Sequence, residues 1–273
     1  MKLFFLVMAL LCAAISLQAE ELLKPSQTVE LKKPYWGVAR NSSQQLLLLA
    51  SDRVDLGEIR DGTFQVAQSF RIVDREPLRI FSYDCNADGQ DEIVVSALER
   101  GVPSSLILSL SKDEKFTPLF VRVPWHLAVL EKNNTKILLG QKSRPTQLFA
   151  GNVRELSCDG KIVAHDTVGL PRGTKLFEFT FSDTEIPPAT PQYRKLGMHV
   201  ITLEGNALES APESFIVPHQ PLPEGIDEKR IAGSVLDSIL DKTGQNEAEL
   251  WALIAPKGQP NKRLLLRYEL HNN

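Results

Sequence analysis

The densest group of side chains that could bind a metal ion lies in the nine residues from Asp84 to Glu92. Side chains with oxygen atoms occupy positions 1, 3, 5 and 9 of this stretch, and Gly89 occupies position 6. Calcium needs several oxygen ligands, and a glycine permits the sharp turn that directs such ligands toward one point. The spacing therefore predicts a calcium-binding loop.

Short strands, rather than helices, are expected on both sides of this loop. Residues 78–81 precede it and residues 93–95 follow it, and both runs are too short and too apolar or β-branched for helices. An EF-hand would also need a bidentate Glu at position 12, where this chain has Val95. The predicted loop therefore joins two strands and is not an EF-hand.

The same loop has two alternative interpretations. A catalytic acid pair could be built from the four carboxylates of Asp84, Asp88, Asp91 and Glu92. Carboxylates so close together repel one another unless a cation neutralises them, which favours ion binding over catalysis. The other alternative is a polar turn that holds no ion.

Residues 1–19 have the three parts of a secretory signal peptide. Lys2 supplies the positive region, residues 3–17 are almost wholly apolar, and Ala19 is a small residue before Glu20. The apolar run is shorter than the roughly 20 residues that a membrane-spanning helix needs. We predict cleavage after Ala19 and a periplasmic or secreted protein.

Composition and charge limit the partners. The 273 residues carry a formal net charge of −3, and the chain has no run of basic residues, so nucleic acid is not a predicted partner. No later apolar run approaches the length of a membrane span, so no span is predicted either. The expected partner is a protein or glycan ligand in the envelope, and the oligomeric state stays undetermined at this stage.

Two cysteines, Cys85 and Cys158, remain after removal of the predicted signal peptide, which contains Cys12. They could pair in an oxidising compartment. The sequence favours two isolated small core residues instead, because nothing in it places Cys158 beside Cys85. No Cys-x-x-Cys or Cys/His spacing indicates a zinc or redox site.

Four segments repeat one plan of a short strand, a polar loop and a strongly apolar strand. Their opening strands begin at residues 37, 80, 127 and 176. This spacing of about 40 to 50 residues is the period of a four-stranded propeller blade. Hairpin signals such as Arg60-Asp61-Gly62 and Asp159-Gly160 follow within the units. We predict an all-β, β-propeller-like array of about four or five blades over residues 20–218, with an incomplete, unclosed set or a sandwich over the last third of the chain as alternatives.

Residues 219–273 form the last predicted domain, in which a helix follows a proline-rich connection. Ile231, Val235 and Ile239 recur at i, i+4 spacing, after Asp227 as the N-cap and before Gly244 as the stop. This pattern predicts a helix over residues 228–242.

A closing β-hairpin is predicted beyond the helix. Residues 250–255 and 264–270 are strongly apolar and flank a turn around Lys257-Gly258.

At the loop, the chain resembles the FG-GAP/VCBS repeat family of β-propellers, whose blades carry a calcium-binding Asp-x-Asn/Asp-x-Asp-Gly-x-x-Asp/Glu hairpin. The resemblance implies that Asp84, Asn86 and Asp88 are ligands, that Glu92 is the last carboxylate, and that Gln90 contributes a backbone carbonyl. The full motif matches once, and the corresponding loops of the other units lack its carboxylates. The resemblance implies a fold and one structural Ca²⁺ ion rather than an activity.

Three hypotheses about function follow. The leading one is an exported, non-enzymatic β-propeller-like binding or scaffolding protein, because the chain has no G-x-S-x-G, H-E-x-x-H, G-x-G-x-x-G or P-loop motif. The enzyme alternative is an extracellular polymer hydrolase or lyase with a site in the propeller funnel. The third is an assembly subunit that docks through the helix at 228–242.

Overall fold

The computed structural model of the protein describes residues 24–111, 115–132, 135–144, 147–164, 176, 234–242, 247–256, 258, 259 and 261–271. The regular elements in these ranges are all β-strands. They form four small antiparallel sheets arranged as a four-bladed β-propeller, which confirms the all-β, propeller-like prediction. The predicted unit that begins at residue 176 lies, apart from Leu176 itself, outside the described residues.

The first three blades follow one another along the chain, and each runs from an inner to an outer strand. Blade 1 consists of β2 (Gly37–Arg40), β3 (Leu46–Leu49), β4 (Arg53–Arg60) and β5 (Thr63–Arg71). Blade 2 consists of β6 (Glu76–Tyr83), β7 (Glu92–Glu99), β9 (Ser105–Leu110) and β10 (Phe116–Val123), with the short β8 (Val102–Pro103) beside β7. Blade 3 consists of β11 (His126–Lys132), β12 (Thr135–Arg144), β13 (Gln147–Leu156) and β14 (Ile162–Ala164).

Blade 4 joins the two ends of the described chain. It consists of β15 (Ser234–Lys242), β16 (Glu247–Ala255), β17 (Arg263–His271) and, on the outside, β1 (Gln27–Leu31). Strand β1 pairs antiparallel with β17 from Gln27 opposite Arg267 to Leu31 opposite Arg263. The predicted closing hairpin is confirmed as β16 and β17, and it closes the ring because it shares a sheet with the N-terminal strand.

The predicted C-terminal helix is wrong over its described residues, 234–242, which form β15. This strand pairs with β16 along its whole length, from Ser234 opposite Ala255 to Lys242 opposite Ala248. The apolar residues come in the pairs Val235-Leu236 and Ile239-Leu240, a spacing that suits a helix better than strand alternation, and long-range pairing with β16 overrides this local pattern. Asp237 and Ser238 are buried in β15, whereas a helix would have placed them on its polar face.

Inner strands line the middle of the ring. Strand β2 contacts β6 and β15, and β6 contacts β11, so each blade begins at the centre. His126, at the start of β11, is fully buried, and its Nε2 lies 2.9 Å from the Oγ of Ser143.

The apolar runs of the sequence are buried because each blade lies between two others. In β3, Leu46 and Leu48 pack with blade 4, whereas Leu47 and Leu49 pack with blade 2. Successive side chains of a strand point to opposite faces, so four consecutive leucines can all be buried only when both faces are covered. The strand is therefore apolar throughout rather than alternating.

A search for membrane-spanning helices in the part of the chain that the structure describes finds no helix long and apolar enough to cross a bilayer.

Candidate calcium loop and its disulfide

The predicted calcium loop connects the two inner strands of blade 2. Tyr83 and Glu92 form the last pair of the β6–β7 ladder, so the ligand positions are held at the end of a rigid hairpin. Ala87 and Gly89 have positive φ angles of 60° and 83°. These left-handed residues turn the backbone sharply twice, and the second is the glycine that the motif requires.

Backbone N–H groups bind the side chains of the first three predicted ligands. Asp84 accepts hydrogen bonds from the N–H of Asp88 at 3.2 Å and of Gly89 at 2.8 Å. Asn86 Oδ1 accepts from the N–H of Asp88 at 2.9 Å, and Asp88 Oδ1 accepts from the N–H of Gln90 at 2.8 Å. These bonds hold the loop backbone in a tight turn around the side chains of Asp84, Asn86 and Asp88.

The amide of Asn86 links the two ends of the loop. Its Nδ2 donates to Asp88 Oδ2 at 3.1 Å and to Glu92 Oε1 at 2.9 Å. The structure thus joins the side chains of Asn86, Asp88 and Glu92, and it connects Asp84 to the same loop through the backbone N–H groups of Asp88 and Gly89. Gln90 contacts this group through its backbone N–H, which donates to Asp88 Oδ1.

Glu92 carries a buried negative charge in this cluster. Its residue is only 3 % exposed, and the N–H of Cys85 donates to its Oε2 at 2.9 Å. Burial raises the pKa of Glu92; the Cys85 hydrogen bond opposes this, and the charges of Asp88 and Asp84 add to it. Burial also raises the pKa of the adjacent Tyr83, with contributions from Glu155, Asp84 and Glu92.

These residues fit a hard cation. The available ligands are oxygens, and a cation would offset the buried charge of Glu92 and the repulsion from Asp88 and Asp84. One adjustment is required, because an amide nitrogen of Asn86 now lies against Asp88 and Glu92 and can only donate. The Asn86 amide must turn its oxygen inward to become a ligand.

A disulfide between Cys85 and Cys158 joins the loop to blade 3. The preference for two isolated cysteines was therefore wrong. The Cα atoms are 5.7 Å apart, although the two residues are separated by 73 positions in sequence. The bond connects position 2 of the loop in blade 2 with the turn between β13 and β14 in blade 3.

The turn that carries Cys158 is held independently of the disulfide. Ser157 and Gly160 form its backbone hydrogen bonds, from Ser157 N–H to Lys161 O and from Gly160 N–H to Ser157 O. The indole N–H of the buried Trp125 donates to Gly160 O at 3.0 Å. The sequence-predicted Asp159-Gly160 turn is thus confirmed, and it places Cys158 beside the loop.

Sequence analysis missed two supports of the loop. One is Cys158, for which the Asp159-Gly160 turn signal was the nearest clue. The other is Asp91, whose Oδ2 accepts from Ser82 Oγ at 2.9 Å and ties the loop to β6. The sequence suggests Asp91 only as a member of the alternative catalytic acid pair and not as a support of the loop.

Without a cation, the charge of Glu92 is expected to destabilise the protein as the pH rises. The folded state binds more protons between the ordinary Glu pKa of 4.5 and the raised folded value, so stability falls with increasing pH across that window. Glu92→Gln removes this loss. The free energy of unfolding is measured with urea in EDTA for both proteins. The value for Glu92→Gln minus the value for the wild type should grow from pH 4.5 upward and then level off.

Glu76 is an exposed acid in the same blade, so Glu76→Gln is the matched control for the loss of one negative charge. A difference for Glu92→Gln that is flat with pH, or that shrinks as the pH rises, would contradict the charge assignment.

The fold and the loop define a class of protein: a four-bladed β-propeller with one acidic, disulfide-anchored hairpin loop. No protein-family model matches the sequence, and a search of curated proteins finds no match.

Proposed function

We propose that this protein is an exported β-propeller, similar to FG-GAP/VCBS repeat proteins, that acts as a non-enzymatic binding or scaffolding module in the envelope. In this proposal, loop 84–92 binds one structural Ca²⁺ ion. The observation that carries the proposal is the buried carboxylate of Glu92, which accepts a hydrogen bond from Asn86 at the end of a strand hairpin, while the same Asn86 amide also donates to Asp88.

The proposed ligands are the side-chain oxygens of Asp84, Asn86, Asp88 and Glu92, with the backbone carbonyl of Gln90. The ion would neutralise the loop and hold β6 and β7 together at one end of blade 2. Because it would bind the folded state and not the unfolded chain, it would stabilise the protein by mass action.

Two observations support export. The first is the signal-like pattern of residues 1–19, with proposed cleavage after Ala19. The second is the disulfide between Cys85 and Cys158, since disulfides persist mainly in oxidising compartments. We propose a periplasmic or secreted location.

The binding role rests on the architecture and on the use of buried acids. A polymer hydrolase or lyase would need free carboxylates in the central funnel. The buried acid of inner strand β15, Asp237, instead accepts hydrogen bonds from the N–H groups of Val38 and Ser238. This structural use supports a binding module over the enzyme alternative. The proposed partner is a protein or glycan, and no nucleic acid is expected at a net charge of −3.

Calcium is expected to raise the melting temperature of the protein. At free calcium a hundredfold above its dissociation constant, the folded state gains about 2.7 kcal/mol, which corresponds to a rise of roughly 5 to 10 °C for a chain of this size. Melting is measured by circular dichroism with EDTA and with added calcium, for the wild type and Asp88→Ala. The mutant should lose the calcium-dependent rise.

Glu76→Gln should keep the full rise, because Glu76 is exposed and lies at the far end of β6 from the loop. No calcium-dependent shift in the wild type, or an equal shift in Asp88→Ala, would contradict the proposed ion site.

A further inference from the structure

The carboxylate of Glu92 lies beside the two cysteines as well as inside the loop. The Sγ atoms of Cys85 and Cys158 and a carboxylate oxygen of Glu92 all lie within 4.8 Å of one another. Glu92 Oε2 is bonded to the N–H of Cys85, and Oε1 is bonded to Asn86 of the loop. The carboxylate of Glu92 therefore lies between the oxygen ligands of the loop and the two cysteine sulfurs.

Two thiolates and a carboxylate are ligands that zinc accepts. With Zn–S near 2.3 Å and Zn–O near 2.1 Å, tetrahedral ligand atoms lie roughly 3.5 to 3.8 Å apart. Each sulfur lies within 4.8 Å of a carboxylate oxygen of Glu92, and breaking the S–S bond allows the two sulfurs to separate to the zinc spacing. Cys85 and Cys158 are half-buried, so solvent and metal can reach them, whereas Glu92 is buried.

The geometry points to a second metal site, in which the reduced thiols of Cys85 and Cys158 and the carboxylate of Glu92 bind Zn²⁺ or a similar thiophilic divalent ion. Water fills the fourth position, because the protein supplies three ligands. This site goes beyond the proposed calcium loop and does not depend on calcium binding there.

Opening of the site requires a two-electron reductant such as a dithiol. The reductant gives two electrons and two protons to the Cys85–Cys158 bond, so the S–S bond breaks, two thiols form and the reductant becomes a disulfide. Each thiol then releases its proton as the metal binds the thiolate. The disulfide and the zinc site are mutually exclusive states of one pair of sulfurs.

Contacts outside the disulfide keep the two sulfurs close after reduction. Trp125 holds the turn of Cys158 through Gly160 O, and the N–H of Cys85 remains bonded to Glu92. The ligands therefore stay near one another on two packed blades, which lowers the entropy cost of assembling the site.

The test is a titration of the reduced protein with Co²⁺ and then Zn²⁺, in a Cys12→Ser background so that only the two cysteines remain. A phosphine reductant opens the disulfide, and EDTA is removed before the metal is added. We expect one equivalent of Co²⁺ to give thiolate-to-cobalt charge-transfer absorption, which Zn²⁺ abolishes. The oxidised protein should give none.

Variants separate a built site from adventitious binding to thiols. Glu92→Gln should weaken zinc binding by about tenfold or more, since even loss of a group that only orients a ligand has that effect. Glu76→Gln removes an exposed acid at the far end of β6 from the loop, so it is the control and should bind zinc as the wild type does. Cys158→Ser should remove most of the charge-transfer absorption.

The inference would be overturned by no charge-transfer absorption in the reduced protein, by undiminished absorption in Cys158→Ser, or by equal zinc affinity in Glu92→Gln and Glu76→Gln. If reduction unfolds the chain, zinc is expected to restore the native circular dichroism spectrum, and a chain that stays unfolded with zinc also overturns it. Failure of the calcium experiments leaves these outcomes unchanged, because no calcium is present.

Discussion

Removing the disulfide between Cys85 and Cys158 is expected to lower the free energy of unfolding by about 4 kcal/mol. The bond closes a chain segment with a sequence separation of 73, so in the unfolded chain it removes much conformational freedom. It also joins blades 2 and 3, which otherwise meet through apolar side chains such as Phe81, Val94 and Leu127.

The measurement is urea unfolding of the oxidised wild type and of the double variant Cys85→Ser/Cys158→Ser. A reductant should bring the wild type close to the variant and leave the variant unchanged, which serves as the control. Equal unfolding free energies of the two oxidised proteins would mean that the bond contributes nothing to stability.

Replacement of Asp55 by alanine is expected to cost about 3 kcal/mol. Asp55 is fully buried in β4, and its Oδ2 accepts from Lys33 Nζ at 2.7 Å and Tyr35 Oη at 2.5 Å. Its Oδ1 accepts from Ser69 Oγ at 2.5 Å. The variant leaves these donors without their acceptor, at the point where the chain passes from β1 into blade 1.

The pH dependence of this network follows from its pKa shift. Burial alone would raise the pKa of Asp55, but the hydrogen bonds from Lys33, Ser69 and Tyr35 outweigh it and lower the pKa below 3.8. A lowered folded pKa gives stability that is present above the unfolded pKa and is lost as the pH falls through the folded one. The difference between the wild type and Asp55→Ala should therefore shrink at acid pH.

Asp52→Ala is the matched control for the Asp55 experiment. Asp52 is 45 % exposed and pairs with the neighbouring Arg53, so its loss should cost less than about 1 kcal/mol. Similar losses for the two variants in urea unfolding would contradict the role of the buried network.

Most strands could be predicted because their signals are local. The leucine run of β3 and the Asp61-Gly62 turn of blade 1 are visible in a few consecutive residues. Strand β15 could not be predicted in this way. Its apolar residues have helical spacing, and the strand forms because of pairing with β16 and the hydrogen bond from Val38 N–H to Asp237.

In the candidate site, too, local residues could be predicted from the sequence and a distant one could not. Asp84, Asn86, Asp88 and Glu92 lie within nine residues, so their spacing carries the prediction of a loop. Cys158 comes from another blade, and only the packing of that blade places it beside Cys85.

The Asp55 network shows the same limit of local signals. Lys33 and Tyr35 lie in the connection between β1 and β2, whereas Ser69 lies in β5, and the three form no motif. Their common acceptor becomes evident only when the first strand joins the last blade.

Isothermal titration calorimetry of Ca²⁺ into the calcium-free, oxidised protein tests the central claim most directly. The account predicts binding of one ion per chain, accompanied by proton release at a pH near the raised pKa of Glu92, and loss of this binding in Asp88→Ala. Absence of binding, or equal binding in the wild type and Asp88→Ala, would show that residues 84–92 form a polar turn and not an ion site.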